Sequence, residues 1–239
     1  MEVSMDSLTL QKAQVQVRVN SFVRSVYNWM AIGLALTGFV AYAVANMPAI
    51  QQVIFGSGII FFGLIIAQLA LVFVISSRIY KMQAATATSL FLLYSALNGA
   101  TLSSIFLAYA SSTITSTFFV CSITFVACSI YGYATRRDLT SMGGFLTMGL
   151  IGIVIASLAN LFFQSSAVGT IVSYIGVLLF VGLTAYDTQA IKNMALTQPA
   201  DMDAGAVRKG AIIGALKLYL DFINLFLMLL RIFGGSRNE

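Results

Sequence analysis

Three side chains of this 239-residue sequence carry chemistry in places where apolar residues surround them: Asp187, Lys217 and Asp221. An ionisable group at bilayer depth costs at least ~2.5–3.5 kcal/mol on insertion scales, so each marks a place to look for function. On a helix, Gly210, Gly214, Lys217, Asp221, Asn224, Met228 and Arg231 follow one another at steps of four and three. They form one small and polar stripe on an otherwise Leu-, Ile-, Phe- and Tyr-rich cylinder. Small residues admit a neighbouring helix, and the polar ones need partners on it. Lys217 and Asp221 are four residues apart and can bridge each other. Asp187 lies about one turn from the end of the preceding apolar run, with Thr184 one turn before it. If the two runs are antiparallel helices, Asp187 and Asp221 can meet. Two carboxylates in one low-dielectric site cannot both be ionised cheaply, so the pair can hold a single proton between them. That is a pH-sensitive element made without histidine. A purely structural alternative pairs Asp187 with Lys192 at the membrane boundary and Asp221 with Lys217 as a buried bridge.

The composition says what kind of element positions these groups. Hydrophobic residues make up 59% and charged residues 9%, where soluble domains carry ~45–50% and ~25%. Mean hydropathy is +0.92. A soluble fold would lack the polar residues to cover its surface, and a disordered chain would be far less apolar. Continuous apolar runs, rather than alternating ones, disfavour an outer-membrane barrel. The chain has no histidine, which excludes a Ser–His dyad and a His-ligated metal or haem. Cys121 and Cys128 lie seven residues apart in one run, separated by ~10 Å of helical rise, too far for a disulfide within it. No cofactor is expected. The net charge of +5 belongs to short loops and does not signal nucleic acid.

Seven runs are long enough to span a bilayer: approximately Val26–Asn46, Val53–Ser76, Ala84–Tyr109, Ile114–Ala134, Phe145–Phe163, Val168–Ile191 and Ala211–Leu230. The expected fold is all-α and polytopic. Residues 1–24 are read as a polar, amphipathic cytoplasmic arm, 25–234 as one seven-helix domain and 235–239 as a tail. Lys12, Arg18, Arg24, Arg78, Lys81, Arg136, Arg137, Lys192, Arg208 and Lys209 all fall on one side of this scheme. The alternate connections, near Pro48, Ser111 and Ser165, carry none. Ten of thirteen basic residues on one side make that side, and the N-terminus, cytoplasmic. The seventh run is the weakest, because Lys217 and Asp221 interrupt it; the side of the tail stays open. The stretch Asn193–Gly210 reads as the longest loop. Asn98, Asn160, Gln164 and Gln68 are expected to hydrogen-bond between helices. Gly149, Gly152, Ala156 and Ala159 are expected to form a packing seam, and Tyr27 and Trp29 an interfacial belt.

Three motifs carry a resemblance. Leu218-Tyr219-Leu220-Asp221-Phe222-Ile223-Asn224-Leu225-Phe226, followed by Leu229-Leu230-Arg231 and Gly234, resembles the C-terminal signature of the Bax inhibitor-1 (transmembrane Bax-inhibitor-motif) family. Ala185-Tyr186-Asp187-Thr188-Gln189-Ala190-Ile191-Lys192 resembles the end of its sixth helix, and Asn98-Gly99-Ala100-Thr101-Leu102-Ser103 a motif in its third. The resemblance runs from about Val23 to Gly234 and is to the bacterial branch. It implies a central C-terminal helix surrounded by six others in two three-helix layers. It also implies a calcium-leak activity sensitive to pH, with Asp187 and Asp221 as the sensor. Arg78, with Lys81 close by, matches the family's latch near the cytoplasmic end of helix two; Lys217 and Asn224 support the pair within the polar stripe.

The leading expectation is therefore a non-enzymatic Ca²⁺ leak of the bacterial inner membrane, in a stress-response setting, gated by the aspartate pair. Oxygen ligands suit Ca²⁺, and two carboxylates alone favour passage over storage. A second expectation, from other bacterial relatives, is a regulator of a membrane-embedded ATP-dependent quality-control protease, docking through the N-terminal arm or the Asn193–Gly210 loop. The remotest is an intramembrane aspartyl protease, whose two acids also share a proton. Against it, Asp221 lies in Tyr-Leu-Asp-Phe and not in Gly-x-Gly-Asp, and Pro199-Ala200 is followed by Asp201.

Overall fold

The computed structural model describes residues 5–199 and 201–234. The expected tail 235–239, with Arg237, and the first four residues of the arm lie outside them. Nine α-helices follow in order: α1 Met5–Ala45, α2 Pro48–Phe55, α3 Gly58–Arg78, α4 Ala84–Leu102, α5 Ser104–Ala108, α6 Ser111–Ala134, α7 Gly143–Phe163, α8 Ser166–Thr197 and α9 Ala204–Phe233. No strand occurs among the described residues. Seven stretches are long and apolar enough to cross a membrane, and they coincide with the seven expected runs.

The differences lie at the ends. Nothing breaks α1 at residue 24, because no Gly or Pro occurs between Met5 and Gly33 to stop it. Its 41 residues make it ~60 Å long, about twice the hydrocarbon thickness. The connection near Pro48 is partly helical: Pro48 takes the first position of α2, where a missing N–H costs nothing. The expected loop Asn193–Gly210 shrinks to six residues. α8 continues to Thr197, and Asp203 starts α9 by accepting a hydrogen bond from the Ala206 N–H at 3.0 Å. Asp187 therefore lies ten residues, ~15 Å, from the end of its helix, not one turn.

The helix with the weakest apolar run is the most enclosed. Of its hydropathic window 72% is buried, against 6% for α3 and 11% for α7. α1, α4, α6 and α8 lie against it, while α3 packs on α4 and α7 on α8. Leu216, Leu218, Tyr219, Leu225 and Leu230 of α9 are among the largest fully buried side chains. A helix apolar on nearly all faces is a core helix, and of its two charges Lys217 is answered by a neighbour.

Two contacts set how near the helices come. A Cβ on Gly132 of α6 would strike the carbonyl of Ala185 on α8, and one on Gly99 of α4 would sit 2.5 Å from the Thr37 carbonyl of α1. The expected seam on the fifth span is only partly one: Gly149 packs against Leu179, but Gly152 faces open space.

Gly132→Ala is expected to push α6 off α8 at a cost of ~1–3 kcal/mol. The check is thermal unfolding in detergent, where its midpoint should fall by several degrees while Gly144→Ala, which meets nothing, leaves it unchanged.

Candidate functional site

α8 and α9 run antiparallel through the short turn at 198–203 and pack along their length. Asp187 and Asp221 are both buried, at 8% and 5% exposure. Lys217 Nζ lies 3.1 Å from Asp187 Oδ1 and donates to it, the ion pair found among the described residues. The sequence expectation of a Lys217–Asp221 bridge within α9 is thus corrected. The side chain reaches across to α8, because Lys-before-Asp is the poorer order along a helix and because Asp187 on α8 faces it. Asp221 lies within Coulombic range of both Asp187 and Lys217. Its Oδ2 is buried and has no hydrogen-bond partner. The three groups form one cluster of two acids and one cation. The Lys217 side chain is 45% exposed while that of Asp187 is 11% exposed, so the ammonium end of the cluster is its open end.

The other expected members divide. Asn224 Nδ2 donates to the Leu220 carbonyl at 2.8 Å and stays within its own helix. Arg78 is exposed in the last turn of α3, and the cation paired with Asp187 is Lys217. Lys192, the alternative partner of Asp187, donates to the Tyr133 carbonyl at 2.7 Å and sits over the Tyr133 ring at 4.9 Å. Gln189 holds the α6–α7 connection, accepting from the Leu139 N–H at 2.7 Å and donating to the Arg137 carbonyl at 2.8 Å. This end of α8 therefore fixes the chain on either side of the two loop arginines.

Tyr27, expected in an interfacial belt, makes a contact within the protein. Its hydroxyl shares a 3.1 Å hydrogen bond with Thr188, beside Asp187. Trp29 likewise faces protein, with the Arg208 guanidinium 5.2 Å from its ring. Gln68 bridges α3 to α4 as expected, through the Leu97 carbonyl and the Thr101 hydroxyl at 3.2 Å each. Asn160 instead serves the α7–α8 turn, accepting from the Ser165 N–H at 3.0 Å, and Gln164 ends α7 in the left-handed region at φ 49°.

One group escaped the sequence reading. Half a turn from Asp221, the fully buried Tyr219 anchors a second polar cluster. Asn98 Nδ2 donates to its hydroxyl at 2.9 Å, and its hydroxyl meets Thr37 Oγ1 at 2.6 Å. Thr37 Oγ1 also lies 2.8 Å from the Ser95 carbonyl. Thr37 Oγ1 is also 2.9 Å from the Gly33 carbonyl of its own helix; with one proton per hydroxyl, Thr37 donates to one of the two carbonyls while Tyr219 donates to Thr37 and accepts from Asn98. Phe91 and Tyr94 stand edge-on to the Tyr219 ring. The chain ties α9 to α1 and α4, as Lys217 ties it to α8. Its signal was available, since Asn98 is a costly amide inside an apolar run, but its partner is a tyrosine that reads as packing.

The family described as inhibitor of apoptosis-promoting Bax1 matches residues 19–238. The inner membrane protein YbhL of Escherichia coli K12 is 53% identical over 97% of each chain. A protein of Borreliella burgdorferi is 46% identical over 98% of this chain and 100% of its own, and a membrane protein of Streptococcus pyogenes serotype M1 is 40% identical over 93% and 96%. None of these names is enzymatic.

Tyr219→Phe and Thr37→Val should each cost ~1–2 kcal/mol by stranding a buried partner. Their double variant should cost clearly less than the sum, read as a double-mutant cycle on unfolding in detergent.

Proposed function

The chain belongs to the Bax inhibitor-1 family, and from that premise we propose that it is a pH-sensitive leak pathway for cations, chiefly Ca²⁺, in a bacterial inner membrane. The name of the Escherichia coli relative supports that location. The distribution of basic residues supports a cytoplasmic N-terminus, so that seven crossings put the end of α9 outside.

The observation that carries the reading is the buried two-acid, one-cation cluster. Asp187 has Lys217 on one oxygen, and Asp221 has a buried oxygen that no protein donor satisfies. Carboxylate oxygens are the ligands Ca²⁺ prefers. No third His, Cys, Asp or Glu joins them among the described residues, so the cluster offers two carboxylates and no closed cage. An ion can then be attracted and released. Lys217 is a tethered cation that competes with Ca²⁺ for the Asp187 oxygen, and a proton competes for the same acids. Flux then depends on pH through the charge on the pair. Tyr27 through Thr188, and Lys217 directly, are the groups that couple this charge to α1 and α9. In this reading the acids work as ion-exchange groups, with Lys217 as the cation already on Asp187.

A second reading, a regulator that restrains a membrane-bound ATP-dependent protease, has one observation in its favour. α1 extends ~20 residues beyond what a bilayer needs, and Leu10 and Val17 are exposed on that extension. A pull-down that keeps the protease when both acids are changed to Asn, and loses it when residues 1–20 are removed, would favour this role over the leak.

Ca²⁺ flux in proteoliposomes tests the leak. Wild-type flux is expected to change between pH 6 and 8. Asp187→Asn or Asp221→Asn should flatten that profile, and Lys217→Met should raise flux severalfold at a fixed pH. A flat wild-type profile, or variants that keep the wild-type profile, contradict the proposal.

A further inference from the structure

α1 and α6 both lie against α8 and α9, and between them run two clefts, one above the other. The lower, of about 550 Å³, is walled by α1 and α6 alone. The upper, of about 430 Å³, has α9 as its floor at Phe222, Ile223 and Phe226. Asn20, Arg24 and Tyr27 of α1 line the lower cleft and Leu34, Gly38 and Ala41 the upper. Steps of four, three, seven, four and three put all six on one helix face, so the two clefts lie in line along one α1–α6 seam, with the buried Met30 and Phe125 between them. Asn20 to Ala41 spans ~32 Å of helix, close to the hydrocarbon thickness. The seam opens sideways: Val126 and Ile130 on its α6 rim are 55% and 63% exposed.

The two ends differ in chemistry. The lower end lies on the basic side of the bundle and holds the Arg24 guanidinium. Beside it the Tyr133 hydroxyl donates to Asn20 Oδ1 at 2.6 Å, and Lys192 covers the Tyr133 ring. Ser129, which also lines this end, has a buried hydroxyl with no hydrogen-bond partner. Among the described residues, no carboxylate lines either cleft. Above Tyr27 the lining is almost wholly apolar.

We propose that the α1–α6 seam is a binding site for one anionic phospholipid, with its phosphate at Arg24 and an acyl chain lying up the seam against α9. Charge at one end, an apolar channel rising from it and an opening towards the bilayer match that molecule. A peptide would leave its backbone unsatisfied in the same place. Arg24 without an acidic neighbour favours a net-negative headgroup over a zwitterionic one. The site is independent of ion conduction, although Tyr27 in its wall bonds Thr188, next to Asp187.

Native mass spectrometry of the full chain in detergent, titrated with dioleoylphosphatidylglycerol or dioleoylphosphatidylcholine, tests this. The wild type should retain one phosphatidylglycerol at least about fivefold more readily than phosphatidylcholine, the effect of about one basic residue at an anionic surface. Arg24→Gln should remove that preference, and Arg24→Lys should keep most of it. Arg136→Gln, exposed on the same side but outside the seam, should leave it unchanged. Val126→Trp, which fills the chain's path, should weaken both lipids. Equal loss of phosphatidylglycerol in Arg24→Gln and Arg136→Gln would overturn the site in favour of general surface attraction. Undiminished binding in Val126→Trp, or displacement of the lipid by inorganic phosphate alone, would overturn the placement of the acyl chain. Should Arg24→Gln fail to fold, Arg24→Lys and Val126→Trp decide the matter by the same readout.

Discussion

Lys217 reaches from α9 to Asp187 on α8 across 3.1 Å, and much of the molecule is arranged around the need for that contact. A lone carboxylate at bilayer depth is expensive, and a second one nearby makes it more so. One ammonium cannot answer both acids fully. The cluster is therefore left with a deficit of positive charge, centred on Asp221, which only a proton, a metal cation or a shift of Lys217 can relieve. That imbalance distinguishes it from a structural salt bridge, in which each charge has its own partner and additional hydrogen bonds. It is also the feature on which the proposed pH response rests.

The fold supplies the walls for this imbalance. α9 is lined by four helices, and glycines bring α6 onto α8 and α4 onto α1 at backbone contact. The Asn98–Tyr219–Thr37 chain fixes α9 from the other side, half a turn from Asp221. α9 is thus held at two neighbouring points by polar contacts of opposite character. One is neutral, fully buried and saturated; the other is charged, open at its lysine end and unsaturated. The first suits a fixed axle and the second a group whose state changes.

Much of this was legible in the residues, and the parts that were not have physical reasons. Seven spans and their order follow from apolar length, which tertiary contacts do not alter. The importance of Asp187, Lys217 and Asp221 follows from the cost of charge in hydrocarbon. The identity of the partners does not follow, because Lys217 has a long flexible stem that can reach its own helix or the next one. The same holds for Tyr27 and Trp29, whose residue types suit a membrane boundary as well as the protein contacts they make. The latch at Arg78 came from resemblance and from no property of its own surroundings, and the cation at the pair is a different one. Helix ends were misjudged wherever polar residues continued a helix into water, as at the start of α1 and the end of α8.

Infrared titration of the aspartate carboxyl stretch, in lipid and with isotope-labelled aspartate, tests most directly whether these groups act as one cluster. The account predicts that Asp187 and Asp221 do not titrate independently: replacing either by Asn alters the pH response of the other, and replacing Lys217 by Met alters both. Two carboxyl signals that each keep their own midpoint in all three variants would contradict it.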